Sequence, residues 1–563
     1  MSVKKRRKKK RNGTGAAVFV VLILIVLVGI AAVHFFVMES NTPSTRQMSP
    51  SEYYGEVSSG EQLIVTTTDV CDQRGRIIDG SSYVDYETVR MYINNRVFLD
   101  KQSGILTVTT PNEIVNVNIG AEGEKRVINS DGAVLISLDF LMDYSDISIE
   151  SFSDPERIVI AEGWVTDRAD ILEDEAPIRF EADIKSDIIN KGYAGQKVTV
   201  LGEENEFVKV STADGFIGYI DRNCIGEKYS ITNHVSTIGE YPHRDFGKKI
   251  NMVFHQTDSQ AANDALMQSV ENVSGINVIA PTWFFINDKS GNLTDITSAG
   301  YVEAAHAKGW EVWPVVNDFD GGMNSKADTL ETLGSTPVRQ AIAENIAVSV
   351  AACGADGVNV DIENINEDCA EAYLQFIREL LVNCSKYGLT LSVDTFVPQG
   401  YNSYIDRKEL GTVSDYVVVM AYDENTSGAE SAGSVSSISW VRQAVENTCE
   451  LVDPSKVVIA IPFYTRKWET SNGKVVDSKA MGMSEAEKFI EENGMKTSWD
   501  DTTQQYIAET EGTPNYIMWL EEKESIEAKL KVIKEGNVAG IAEWKLGLEK
   551  SDIWAVLNKY CEE

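Results

Sequence analysis

One short stretch concentrates the residue types that acid–base chemistry requires. Asp356-Gly357-Val358-Asn359-Val360-Asp361-Ile362-Glu363 alternates apolar with polar from residue 358 onward. In a β-strand successive side chains point to opposite faces. Asn359, Asp361 and Glu363 therefore share one face, and Val358, Val360 and Ile362 share the other. Two carboxylates two residues apart in a partly dry pocket raise each other's proton affinity, which suits a general acid. A solvated acidic run and a magnesium site are the competing readings. An exposed loop has no need of Val and Ile in strict alternation, and neither a phosphate loop nor a further acid cluster accompanies this one.

Such a face needs a scaffold, and the last three hundred or so residues provide one. Apolar runs of strand length occur at 250–255, 278–286, 311–316, 357–363, 389–396, 416–423, 457–464 and 540–546. Continuous apolar runs are the signature of parallel strands covered on both faces. Between them lie amphipathic stretches such as Val338, Ile342, Ile346 and Val350, at helical spacing. Eight strands alternating with helices predict a (β/α)8 barrel over 245–563, with Glu363 at the C-terminal mouth, where barrel active sites lie. The gap before the last strand is about twice the others and predicts an α+β insertion.

With these pieces in place, the chain resembles glycoside hydrolase family 18, whose signature D-G-x-D-x-D-x-E is matched by residues 356–363. Met420-Ala421-Tyr422-Asp423 is similar to the family's M-x-Y-D. Residues 461–468 (IPFYTRKW) are similar to its seventh strand, and Trp544 in GIAEWKLG to its eighth-strand tryptophan. APTWFFIN at 280–287 resembles the second strand of a subgroup of spore-cortex and peptidoglycan N-acetylglucosaminidases. One position departs from the pattern, because Asn359 replaces the middle aspartate. The resemblance implies substrate-assisted retaining catalysis, an exception to the two-carboxylate scheme. Glu363 would protonate the leaving oxygen while the sugar's 2-acetamido oxygen attacks. Asp361 would orient the acetamide, Tyr422 would hydrogen-bond it, and Trp544 would be the sugar platform. Asn359, Met420, Asp423, Tyr464 and Trp283 complete the expected substrate-binding set. For Trp283, Tyr464, Trp468 and Trp519, plain core packing is the alternative.

The N-terminal half reads as a series of small segments. Eight Lys and Arg lie in the first eleven residues, a basic tail within 1–15. The run 16–38 follows with no Asp, Glu, Lys or Arg. As a helix it would span about 35 Å, enough to cross a bilayer. The basic cluster places the N-terminus in the cytoplasm and the body outside. Residues 39–62 are polar and read as a stalk. Within 63–165 a repeat recurs at an offset of 52, from Asp79-Gly80 to Asp131-Gly132, with Val84 matching Ile136 and Val89 matching Leu141. Each copy reads as strand, helix and two strands, and resembles the copper amine oxidase N-terminal module. No histidine lies between His34 and His234, so copper ligation by imidazole is excluded. Residues 176–228 resemble a bacterial Src-homology-3-like (SH3) domain, a fold that commonly contacts cell-wall peptides, through GQKVTVL and DGFIGYI.

Composition bounds the rest. Acidic residues outnumber basic ones 86 to 51, and beyond the basic tail 86 to 43, so a nucleic-acid partner is not expected. Seven cysteines without a C-x-x-C pair, and no H-E-x-x-H, Walker loop or G-x-G-x-x-G, point to neither metal nor cofactor. The expectation is a membrane-anchored, multidomain, extracytoplasmic glycosidase acting on peptidoglycan, cortex or chitin-like glycan. A weakly active or inactive glycan-binding protein on the same barrel, and an envelope scaffold, are the alternatives.

Overall fold

The computed structural model describes residues 21, 23–30, 42–162, 166–231, 238–318, 323, 325–512 and 515–562. They fall into two compact units, one within 1–93 and 135–237, the other within 94–134 and 238–563. The expected anchor, 16–38, lies mostly outside the described residues. Among those described, no helix is long and apolar enough to cross a membrane.

The second unit is built on a closed parallel barrel. Its strands are β1 (Ile250–His255), β2 (Val278–Ile286), β3 (Glu311–Val312, continuing as Val315–Asn317), β4 (Gly357–Asp361), β5 (Thr390–Phe396), β6 (Tyr416–Met420), β7 (Val457–Pro462) and β8 (Gly540–Trp544). Each pairs in parallel with its neighbour, and β1 pairs with both β2 and β8, so no barrel edge is left open. All eight expected strands are present within a residue or two of their predicted ends at most positions. Their apolar runs divide by parity. Met252, Phe254, Ala280, Val315, Val418 and Ala460 fill the interior. Val358, Val360 and Ile362 pack outward against the helix layer, which includes α1 (Thr336–Cys353) and α2 (Ala370–Tyr387). Each fully buried Val or Ile in that layer contributes roughly 1.5–3 kcal/mol. At Gly540 a Cβ would collide with the Ile250 carbonyl, so the β1–β8 closure requires glycine there.

Between β7 and β8 lies the expected insertion. It is a five-stranded antiparallel sheet (Tyr464–Ser471, Lys474–Gly482, Lys496–Asp500, Gln505–Glu509, Asn515–Trp519) with the helix Met483–Asn493.

The barrel unit also contains a three-stranded sheet from far upstream, Val97–Asp100, Ile105–Thr109 and Ile114–Asn118. Polar bonds fasten it to α1, to α2 and to the helix Arg407–Thr412. Arg96 grips Glu409 through two nitrogens (2.8 and 3.0 Å), and Arg378 bonds the same carboxylate at 2.9 Å. Asp100 accepts the Thr336 N–H (2.8 Å) at the open start of α1. Gln375 donates to Thr109 Oγ1 (2.6 Å). Beneath the sheet, Arg339 and Glu379 form a bidentate pair (2.8 and 2.9 Å) with both side chains fully buried, and Phe98 lies 4.3 Å under the guanidinium.

The two repeat copies pair strand to strand in the first unit, with Val84 directly opposite Ile136. Asp79-Gly80 and Asp131-Gly132 all have positive φ, the conformation a two-residue hairpin turn demands. Both copies carry strand, helix and two strands. They differ in one respect: the strand pair of the first copy is the one that belongs to the barrel unit.

The residues expected to form a stalk have structure of their own. Ser49 and Glu52 make a reciprocal capping box for the short helix Pro50–Tyr54. The chain before it runs parallel to the strand Ile188–Gly192, with Met48 N–H donating to the Ile188 carbonyl and Ile188 N–H to Arg46 (2.8 and 2.9 Å). Tyr53 donates to the Ile217 carbonyl (2.9 Å) and packs on Phe180 and Phe216.

Candidate active site

The site gathers where β3 to β8 end. On β4, Asn359 and Asp361 are buried on the inward face, and Glu363 follows two residues beyond the last ladder pair, half-buried at the mouth. Asn359 Nδ2 donates to Ser392 Oγ (3.0 Å) and to Asp394 Oδ1 (2.7 Å), both on β5. The amide at this position is therefore a donor to a buried carboxyl.

Glu363 is held as a general acid requires. Burial raises its carboxyl to about 7, with the charges of Asp318 and Asp423 adding to it. The sequence pointed to Asp361 as the neighbour responsible. The charges that contribute come from Asp318, one residue past β3, and Asp423, past the end of β6. Asp394 is pushed well up by burial, with the Glu363 charge adding to it and the Asn359 bond opposing. Tyr422, at the end of β6, is likewise pushed well up by burial, then by Asp361, Asp394, Tyr464 and Glu363, and so remains a phenol that can donate. The shared field groups Asp361, Asp394, Glu363 and Tyr422 around one volume.

The rim comes from β6 and the insertion. Asp423 is exposed, with φ of 52°, an unusual backbone for a residue other than glycine. Its Oδ1 accepts the Tyr464 hydroxyl (2.6 Å) and lies 3.9 Å from Arg466. Tyr464 and Tyr422 meet edge to face at 6.3 Å. Trp544, half-buried at the end of β8, packs on Phe254 at 5.3 Å in the barrel interior. Met420 is buried at the end of β6.

Two tryptophans expected as groove candidates are core residues. Trp283 is fully buried, donates to Asn263 Oδ1 (2.8 Å) and packs on Tyr301, because every residue of β2 is covered on both faces. Trp468 is fully buried and donates to the Gly433 carbonyl (2.8 Å). Trp519 is half-buried in the insertion. Two acids escaped the sequence reading. Asp394 carried a visible signal, since Thr390-Leu391-Ser392-Val393-Asp394 alternates as β4 does. Asp318 sits one residue past β3 and gave none. Among the described residues, no cluster of three or more His, Cys, Asp or Glu is arranged to hold a metal ion.

Comparison with known proteins agrees with this geometry. Residues 309–549 match the model of glycosyl hydrolases family 18, a span that includes every site residue above except Trp283. Residues 174–226 match the bacterial SH3 domain. The chain is 22% identical over 301 residues to the uncharacterized glycosylase YvbX of Bacillus subtilis, covering 50% of this chain and 84% of that protein. It is 28% identical over 238 residues to the cortical fragment-lytic enzyme of the same organism, covering 40% of this chain and 54% of the relative. The chain thus spans about half the length of that enzyme. Its fold matches a chitinase structure from Chromobacterium violaceum (TM-score 0.50, 19% identity, 56% of this chain and 99% of that one). Residues 309–549 are accordingly a family 18 glycosyl hydrolase domain, carried on one chain with a bacterial SH3 domain, and the protein is a glycosidase.

Proposed function

We propose that the protein hydrolyses β-linked N-acetylglucosamine in peptidoglycan or spore-cortex glycan by substrate-assisted retaining catalysis. The observation that carries this reading is Glu363 at the mouth of β4, its carboxyl raised to about 7 by burial and by Asp318 and Asp423. Such a group is protonated below neutrality and strong enough to protonate a leaving glycosidic oxygen. The 2-acetamido oxygen of the bound sugar attacks the anomeric carbon as that bond breaks, gaining the advantage of an attached nucleophile. Asp361 orients the acetamide and stabilises the positive intermediate. Tyr422, held as a phenol, donates to the acetamide oxygen. Trp544 offers its flat face to the ring, and Met420, Asp423, Tyr464 and Asn359 shape the pocket around it. Water then opens the intermediate with Glu363, now ionised, as base.

The wall target rests on similarity to the cortical fragment-lytic enzyme and on the SH3 domain, whose proposed ligand is a cell-wall peptide. The apolar run 16–38 supports a single-pass anchor with the body outside the membrane, and the repeat of 63–165 is proposed as a copper amine oxidase N-terminal-like spacer. Protease added to intact wall-stripped cells should digest the barrel, and a barrel protected until lysis would refute the topology.

The deciding experiment measures release of reducing ends from purified peptidoglycan and from chitooligosaccharides by the full chain and by Glu363→Gln. Loss of general acid assistance lowers turnover by ~10²–10⁴-fold. Equal turnover by the variant would refute the site. Binding without hydrolysis by the wild type would instead establish a glycan-binding protein.

A further inference from the structure

Asp318 is fully buried one residue beyond β3, at the point where the β3–β4 ladder stops. The last paired residues are Asn317 and Asp361. Past them the chain has left the ladder, and the amides of Glu363 and Asn364 meet no strand carbonyl. The Asp318 carboxylate takes that place. Glu363 N–H donates to Oδ1 (3.0 Å) and Asn364 N–H to Oδ2 (3.1 Å), while the Thr329 hydroxyl donates to Oδ2 from the helix Lys326–Gly334 (3.4 Å). A buried amide without a partner is costly, so this clamp fixes the backbone from which Glu363 projects.

We propose that Asp318 is a positioning residue for Glu363, clamping the acid's backbone with both carboxylate oxygens and setting the negative field at its carboxyl. The inference rests on the hydrolase reading above and extends it to a residue that touches no substrate. Both oxygens of Asp318 accept N–H bonds, the pattern that favours an ionised carboxylate. Burial works against that charge and raises the Asp318 carboxyl, with the two amides and Thr329 opposing.

Other titratable groups around the acid are Asp361 on its own strand, Asp394 on β5, Tyr422 and Asp423 after β6, Tyr464 from the insertion, and Tyr373 from α2. The three tyrosines are neutral phenols, each raised by burial. Asp394 is raised well up by burial and so holds its proton. Asp423 is exposed, bonded by Tyr464 and close to Arg466, so solvent and a cation weaken its field. Asp318 is a fully buried carboxylate whose charge reaches Glu363.

The test uses the full chain with Asp318→Asn and Asp318→Glu. Substrates are an unactivated chitopentaose and a 4-nitrophenyl chitobioside, whose good leaving group needs little acid assistance. Thermal unfolding is followed alongside. Asp318→Asn keeps an acceptor and removes the charge. It should move the alkaline limb of kcat/KM down by about one pH unit. It should also lower kcat on chitopentaose by about ten- to a hundredfold, with a smaller loss on the nitrophenyl substrate and KM little changed. Asp318→Glu keeps the charge and displaces the oxygens, so the alkaline limb should stay while kcat falls.

If the Asn variant does not fold, the Glu variant carries the test. A shifted limb with unchanged kcat in Asp318→Glu would overturn the proposal. So would an unmoved limb in a folded Asp318→Asn, or equal losses on both substrates. A wild type inactive on both glycans would overturn the hydrolase reading itself, and this inference with it.

Discussion

Replacing Glu363 by Gln should make the barrel more stable at alkaline pH while it removes hydrolysis. In the folded chain burial, then Asp318 and Asp423, raise this carboxyl from 4.5 to about 7. Below pH 4.5 it is protonated both folded and unfolded, and the folded state loses nothing. As pH climbs from 4.5 to about 7 the unfolded chain releases its proton while the folded chain keeps it, so stability falls. Above about 7 the full cost is present. At ~1.36 kcal/mol per pH unit, the raised carboxyl costs the native state about 3 kcal/mol. Glutamine has nearly the same shape and no charge to bury. The backbone bond from residue 363 to Asp318 survives the change, since its donor is the main-chain N–H. The variant should therefore match wild type at pH 4 and exceed it by about 3 kcal/mol at pH 8.5, a rise in Tm of about 4 °C for a domain of this size. Tryptophan fluorescence is a suitable probe, because every tryptophan except Trp164 lies in the barrel unit. Equal stability of the two forms at pH 8.5, or a difference that does not change between pH 4 and pH 8.5, would refute the account of how Glu363 holds its proton.

Hydrolysis of an unactivated glycan should decline above pH about 7 as Glu363 ionises, and a profile flat to pH 9 would remove Glu363 as the acid. Asn359→Asp turns the bond to Asp394 into two carboxyls sharing a proton. The added negative charge should move the alkaline limb upward, and an unmoved or lowered limb would count against it. Arg339→Ala leaves Glu379 charged and buried without its main partner. It should cost about 3–5 kcal/mol by chemical denaturation, and a loss under 1 kcal/mol would contradict the buried pair.

The barrel was legible because its strands are covered on both faces and so appear as apolar runs, and because β4 breaks that rule on one face only. The same logic explains the errors. β2 is apolar over nearly its whole length, so nothing in its sequence distinguishes a groove tryptophan from the buried Trp283. Asp394 follows the alternation that marked Asp361 and could have been found. Asp318 could not, since its importance depends on where the β3–β4 register ends, and register is not written in the side chains. Residues 42–48 looked unstructured because main-chain bonds hold them, and main-chain bonds leave no side-chain signature. The two repeat copies read alike, yet only the first sends its strand pair to the barrel unit. The sequence of that pair alone does not reveal that Arg96 and Asp100 have partners more than two hundred residues away.

The docking of residues 44–54 on the SH3 domain also sets a distance. A free stalk from residue 39 to residue 62 could extend ~80 Å and let the protein patrol a thick layer of wall. The chain is instead hydrogen-bonded to the domain from Ser44 onward. With the run 16–38 embedded as proposed, only residues 39–43 separate it from Ser44, a span of about 20 Å when fully drawn out. On that proposed topology the SH3 domain would be confined to a thin shell above the bilayer, and any wall peptide it binds would lie on the glycan nearest the membrane.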